Sequence, residues 1–103
     1  MGTDATKLYA GDRTIDGIVV TVNGEPLPER GDLRAFSDNG YEWTYEGDEP
    51  HQLALAMLAD FLGDDARALA LSEAFMREIV AHFNNTWEMS GIDVQRAIDA
   101  LGD

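Results

Sequence analysis

The sequence predicts an α+β fold: a small, mainly antiparallel sheet packed against two central helices, with a short C-terminal helix beside them. Three observations carry that prediction. The β-branched run Ile18 to Val22 lies between the turn pairs Asp16-Gly17 and Asn23-Gly24. The aromatic residues Tyr41, Trp43 and Tyr45 alternate with Glu42 and Thr44, and from Pro50 onward the apolar residues recur at helical spacing. At 103 residues and 45% hydrophobic, the chain can bury one core, and the absence of cysteine rules out disulfide staples and thiolate chemistry.

Taken in chain order, Gly2 to Thr6 are small and polar, so residues 1–6 are expected to fray and 7–103 to form one compact domain. Leu8 to Ala10 suit a short strand that stops at Gly11-Asp12. Ile18 to Val22 form the firmest strand, with Ile18, Val20 and Val22 sharing the core-facing side. Pro26 and Pro28 then bar helix and central strand through Glu25 to Gly31, which reads as an extended loop. The period-two row from Tyr41 to Tyr45 predicts another strand, bounded by Asn39-Gly40 and Gly47-Asp48.

The remainder reads as helical. Asp48 or Glu49 caps a first helix that ends at Gly63, and its apolar residues wrap most of its circumference, which places it at the centre of the fold. Asp64 or Asp65 caps a second helix running to His82 or Phe83, with Ala68, Leu71, Phe75, Met76 and Ile79 on one stripe and a favourable Glu73 to Arg77 pair off it. Trp87 and Met89 suit a short strand, and Ser90 with Asp93 forms a capping box for a last helix expected to cover one edge of the sheet.

Asp plus Glu number 20 against 7 Lys plus Arg, a formal net charge of −13, and Lys7 is the only lysine. Such a surface repels phosphate backbones and anionic membranes, so direct nucleic-acid or membrane binding is disfavoured. Excess like charge also strains a folded chain, and molar salt relieves the strain by screening. This composition resembles that of proteins from salt-in halophiles. The N-terminal residues contain no apolar leader and no span is long enough to cross a bilayer, which gives a cytoplasmic expectation.

The segments Tyr9-Ala10-Gly11-Asp12-Arg13, Val20 through Leu27, Asn39 through Tyr45, and Gln52-Leu53-Ala54-Leu55-Ala56 on to Leu62-Gly63-Asp64 resemble the domain-of-unknown-function family six-one-six-six. The likeness covers most of the chain from Tyr9 onward. It implies a single compact domain often associated with archaeal, phage or plasmid genomes, and it implies no activity.

Motifs for chemistry are sparse. His51 and His82 sit on separate predicted helices without metal-ligand spacing, and are expected as a solvated or N-terminally bonded side chain and a helix-end cation respectively. Ser37, Ser72 and Ser90 lack a nucleophile-elbow context, Glu42 faces away from its aromatic neighbours, and the glycines punctuate turns rather than cradle phosphate. No catalytic residue, metal ligand or cofactor is assigned. The aromatic row Tyr41, Trp43 and Tyr45 reads first as core packing against Leu53, Met57 and Phe61, and its alternative reading is the candidate interaction surface. To it are added Arg30 and Arg34, which flank a proline-containing loop and suit a carboxylate or phosphate. The functional expectation is a non-enzymatic binding or regulatory domain adapted to high salt, with a protein partner. A DNA-mimicking or anti-defence inhibitor and a small enzyme without a local motif are the alternatives.

Overall fold

In the computed structural model, which describes residues 6–102, Leu8–Thr14 (β1) and Gly17–Val22 (β2) form an antiparallel hairpin with Tyr9 opposite Val22 and Thr14 opposite Gly17. Thr14 shapes the intervening turn: its hydroxyl donates to the Gly17 carbonyl at 2.7 Å and accepts from the Asp16 amide at 3.2 Å. Asn23 and Gly24 follow with φ of 52° and 83°, the left-handed pair that a two-residue hairpin turn requires. They return the chain as Glu25–Pro26 (β3), a two-residue edge strand where the missing proline donor is tolerated. Trp87–Ser90 (β4) pairs antiparallel with the other side of β1, so the sheet order is β3-β2-β1-β4.

Three helices complete the described residues: Asp48–Leu62 (α1), Asp65–Glu78 (α2) and Gly91–Ala100 (α3). The expected stop of α1 and the expected cap of α2 are present, but neither Asp48 nor Glu49 caps α1: its cap position is Gly47, without a side-chain hydrogen bond, and both acids lie inside the first turn. Gly63 ends α1 at φ 63°, a left-handed conformation suited to glycine, and the Asp64 carboxylate accepts the Arg67 amide at 3.1 Å to start α2. Helix α2 stops at Glu78, short of the expected His82, and Val80–His82 makes a single 3-10 turn. Ser90 and Asp93 form a reciprocal capping box at the start of α3, which touches both α2 and the edge strand β4.

Helix α1 is the centre of the core, with Gln52 to Ala59 all buried in succession. It lies on the inner face of the sheet, where the Tyr9 hydroxyl donates to Asp60 at 2.7 Å and Lys7 Nζ donates to the same carboxylate oxygen at 2.9 Å. Tyr9, Trp43, Phe61 and Phe75 are fully enclosed. Burying one large apolar side chain stabilises by roughly 1.5–3 kcal/mol, against about 0–1 kcal/mol for an exposed ion pair, so these residues outweigh the surface pairs. Along β1 the burial alternates: Tyr9 and Gly11 face the helices, while Leu8, Ala10, Asp12 and Thr14 face outward.

Two expectations need correction. The first strand does not stop at Gly11. It runs through, because Gly11 lies under the Trp87 indole, and a Cβ there would sit 2.3 Å from Trp87 Nε1; the glycine serves close approach rather than a turn. The second correction is that Tyr41 to Tyr45 form no strand. Residues 27–47 contain neither helix nor strand, and β4 occupies the place beside β1. Thr44 has φ 80°, outside the strand region, and its amide donates to the Val80 carbonyl at 3.3 Å. The Trp43 amide goes to Glu42 Oε1 at 3.1 Å and the Trp43 carbonyl accepts from Arg13 at 3.1 Å, so side chains take the groups a ladder would have used.

Candidate functional site

The loop 27–47 carries all five residues singled out as an interaction surface, and two distant side chains hold it in place. Gln52, on α1 and 1% exposed, accepts the amides of Phe36 at 2.7 Å and Ser37 at 3.2 Å through Oε1. Its Nε2 donates to the carbonyls of Glu29 at 2.7 Å and Arg34 at 3.1 Å. One side chain thus satisfies four backbone groups. Arg13, on β1, holds the other end: it pairs with Glu42, donates to Asn85 Oδ1 at 2.6 Å, and places its guanidinium 4.7 Å from the centre of the Trp43 ring.

The structure does not gather the five residues on one surface. Trp43 is fully buried, edge-on to Trp87 with ring centres 5.8 Å apart, and its indole N–H donates to the Asn85 carbonyl at 3.3 Å. Tyr41 is half-buried, its hydroxyl donating to the Leu27 carbonyl at 2.8 Å, and burial followed by the nearby Glu29 charge raises its pKa. Tyr45 is 44% exposed and donates to Glu49 at 2.9 Å; partial burial, then that carboxylate, pushes its pKa up to about 12. Arg30, at φ 59°, bridges Asp32 at 3.1 Å and Asp65 at 3.3 Å. The hydrogen bond to Asp32 is the largest cause of its raised pKa. Arg34 is exposed, 5.5 Å above the Phe36 ring, and has no ion pair among the described residues.

The histidines are placed differently from one another. His82 is exposed at the end of the 3-10 turn. His51, expected as a solvated or N-terminally bonded side chain, is instead half-buried, stacked on Phe36 with ring centres 3.6 Å apart, and its Nε2 lies 3.0 Å from the buried Ser72 hydroxyl. Ser72 also donates to the Leu69 carbonyl at 3.1 Å. Burial lowers the His51 pKa, Arg34 and Arg77 act in the same direction, and Glu73 and Asp48 oppose it. The imidazole is held toward its neutral form and, through Phe36 and Ser72, ties loop 27–47 to α2.

The described residues line a narrow cleft and a wider depression. A cleft of about 80 Å³ lies between Leu27, Pro28, Arg30, Ala56 and Asp60. Its polar walls, Arg30 and Asp60, are already bonded within the chain. A wider depression of about 220 Å³ lies on the sheet, lined by Ala10, Asp12, Val19, Thr21, Thr86 and Glu88 among others. All but Thr86 belong to strands, and this depression was not legible in the sequence, where Asp12 and Glu88 are ordinary polar positions. Among the described residues no group of three or more His, Asp and Glu side chains is arranged to hold a metal, and no helix is long and apolar enough to cross a membrane.

No curated protein and no solved structure matches the chain. The model of a family of unknown function, DUF6166, matches residues 9–100. That span takes in all of the sheet but Leu8, the pinned loop and the whole of the three helices, and the chain belongs to that family.

Proposed function

We propose that the protein is a small binding or regulatory domain, without catalytic chemistry of its own, whose acidic surface is adapted to high salt. The observation that carries the reading is the uncovered outer face of the sheet, on which Leu8 at 42% and Val19 at 48% exposure stand beside the depression at Ala10 and Thr21. An exposed apolar group rimmed by polar side chains is the usual mark of a contact surface. The side chains best suited to chemistry support the same reading: Ser72, His51, Lys7, Asp60 and Arg13 are all bonded to one another or to the backbone. The test is capture of partners on the immobilised chain from source-cell lysate in molar KCl. A saturable, stoichiometric partner is expected; recovery of none defeats the binding reading.

Adaptation to salt is tested separately. With a net charge of −13, self-repulsion falls as screening rises, so the melting temperature should climb between ~0.1 M and ~1 M KCl, most steeply where the Debye length first falls below ~10 Å. A melting temperature indifferent to KCl defeats it. The same charge also favours a DNA-mimicking inhibitor, whose complex with a basic DNA-binding protein would weaken as salt rises.

A further inference from the structure

The sheet buries one face and leaves the other open. The side chains of that open face are those that alternate outward: Leu8, Ala10 and Asp12 on β1, Val19 and Thr21 on β2, and Glu88 on β4. In register, Asp12 stands opposite Val19, and Ala10 stands between Thr21 and Glu88, so carboxylates alternate with small and branched apolar groups. The two cations at this end of the chain do not answer those acids. Lys7 is drawn to Asp60 at 2.9 Å and Arg13 to Glu42, both on the helix side of the sheet. Asp12 accepts only a neutral hydroxyl, that of Thr86 at 2.9 Å, and neither Asp12 nor Glu88 has an ion pair among the described residues.

Resting on the binding reading above, we propose that this open face docks a cationic segment of a partner protein, one bearing Lys or Arg between apolar residues. The long side chain of such a residue fits the depression in both of its parts. Its aliphatic stem covers Ala10 and Val19, and its charged end meets Asp12 and Glu88, the same division of apolar stem and solvated head that these side chains adopt on protein surfaces. Neighbouring apolar side chains of the partner cover Leu8 and the remainder of Val19. Charge complementarity sets the class of partner. A second copy of this chain would bring Asp12 and Glu88 against acids of the same face, and a nucleic acid or anionic bilayer would add negative charge to an unanswered negative face.

The experiment titrates the isotope-labelled chain with a short alternating Lys-Val peptide at low salt and follows backbone amide shifts. A Glu-Val peptide of equal length serves as control, and the double variant Val19→Arg plus Glu88→Lys is titrated in parallel. Both substitutions are at exposed positions, and a cooperative melting transition no lower than the parent's checks that the variant folds. The proposal expects shifts concentrated on Leu8 to Asp12, Val19 to Thr21 and Trp87 to Ser90, with binding weakened ~10-fold or more in the double variant. Shifts that concentrate on loop 27–47 or the helices, no shift on the sheet, or equal affinity in the double variant overturns it. The lysate capture repeated with the double variant separates the two readings: a partner held equally by both proteins leaves the binding domain standing and overturns this face as its site, whereas a chain that captures nothing defeats the binding reading itself.

Discussion

The β1–β2 hairpin and the loop 27–47 hold their backbones by opposite means. In the hairpin, amides and carbonyls pair along a ladder from Tyr9 and Val22 to Thr14 and Gly17, so each residue is supported by its neighbours. In the loop, backbone groups are satisfied one at a time by side chains from elsewhere, chiefly Gln52 from α1 and Arg13 from β1. Support in the first region is distributed and in the second it is concentrated. A substitution at one pinning residue should therefore release many loop residues at once, while the hairpin should be vulnerable chiefly where a side chain packs across it.

Gln52→Leu should give the largest effect. Leucine fills a similar volume, but the amides of Phe36 and Ser37 and the carbonyls of Glu29 and Arg34 lose their partner together. A buried group left without a hydrogen bond costs about 1–3 kcal/mol, and since part of this loop can turn to water, the expected total is about 3 kcal/mol. Urea unfolding should show the lower midpoint, and hydrogen exchange should show Phe36 and Ser37 losing protection while Val20 and Val22 keep theirs. Equal loss of protection in both regions would break the contrast.

Gly11→Ala tests the hairpin side. The new Cβ would fall 2.3 Å from Nε1 of Trp87, whose ring is stacked on Phe83 at 4.2 Å and edge-on to Trp43, so the indole has no free direction in which to yield. Overpacking of this kind costs roughly 1–3 kcal/mol, and about 2 kcal/mol is expected here. The near-ultraviolet circular dichroism of the tryptophans should change with it. A variant of unaltered stability and spectrum would mean that the indole yields to a methyl group and that the close approach at Gly11 is not required.

Arg13→Gln should follow at about 1–2 kcal/mol, since it removes a charge-assisted bond to Glu42 and the bonds to Trp43 and Asn85. The guanidinium and carboxylate are 29% and 30% exposed, so screening keeps the pair's own share small. A double-mutant cycle with Glu42→Gln separates that share from the bonds to the loop backbone. Coupling of the whole loss to Glu42 would show that the arginine neutralises a charge rather than pins a loop.

The same contrast explains what the sequence disclosed. Strand β2 was legible because its determinants are local: β-branched residues between turn pairs, with Asn23 and Gly24 supplying left-handed φ for the turn into β3; the full length of β1 was not, because it depends on Trp87 covering Gly11. Helix α1 was legible because apolar residues surround it and Gly63 ends it. The row Tyr41, Trp43 and Tyr45 shows the same period of two yet lies in a loop, since period two reports only alternate burial and a strand also needs an unoccupied partner. That partner, β1, is taken by β4, whose four residues are too short for a strong pattern. The structural role of Gln52 was hidden at the head of the apolar run Leu53 to Ala59; an amide that opens the buried stretch of a central helix is the signal that would have found it. The open face was hidden because it depends on which cations turn inward, and pairings such as Lys7 with Asp60 join residues 53 positions apart.

The smallest expected effect tests whether the loop is also tied down by His51. Burial lowers its pKa below the ordinary 6.5, helped by Arg34 and Arg77 and opposed by Glu73 and Asp48. Between the lowered value and 6.5 the unfolded chain therefore binds more protons than the folded one. The contribution of His51 to stability is thus full above about pH 6.5 and is lost as pH falls through that window. In His51→Gln the stack on Phe36 is replaced by an amide that does not titrate. The measurement is the difference in unfolding free energy between the parent and His51→Gln from about pH 7.5 to about pH 5, in molar KCl so that relief of carboxylate repulsion does not mask it. The parent's advantage should shrink as pH falls, and hydrogen exchange at Phe36 should quicken in the parent over the same range. Should the advantage instead grow on acidification, the imidazole gains more from Glu73 and Asp48 than it loses by burial, and the loop is held to α2 by a charged contact rather than a neutral stack.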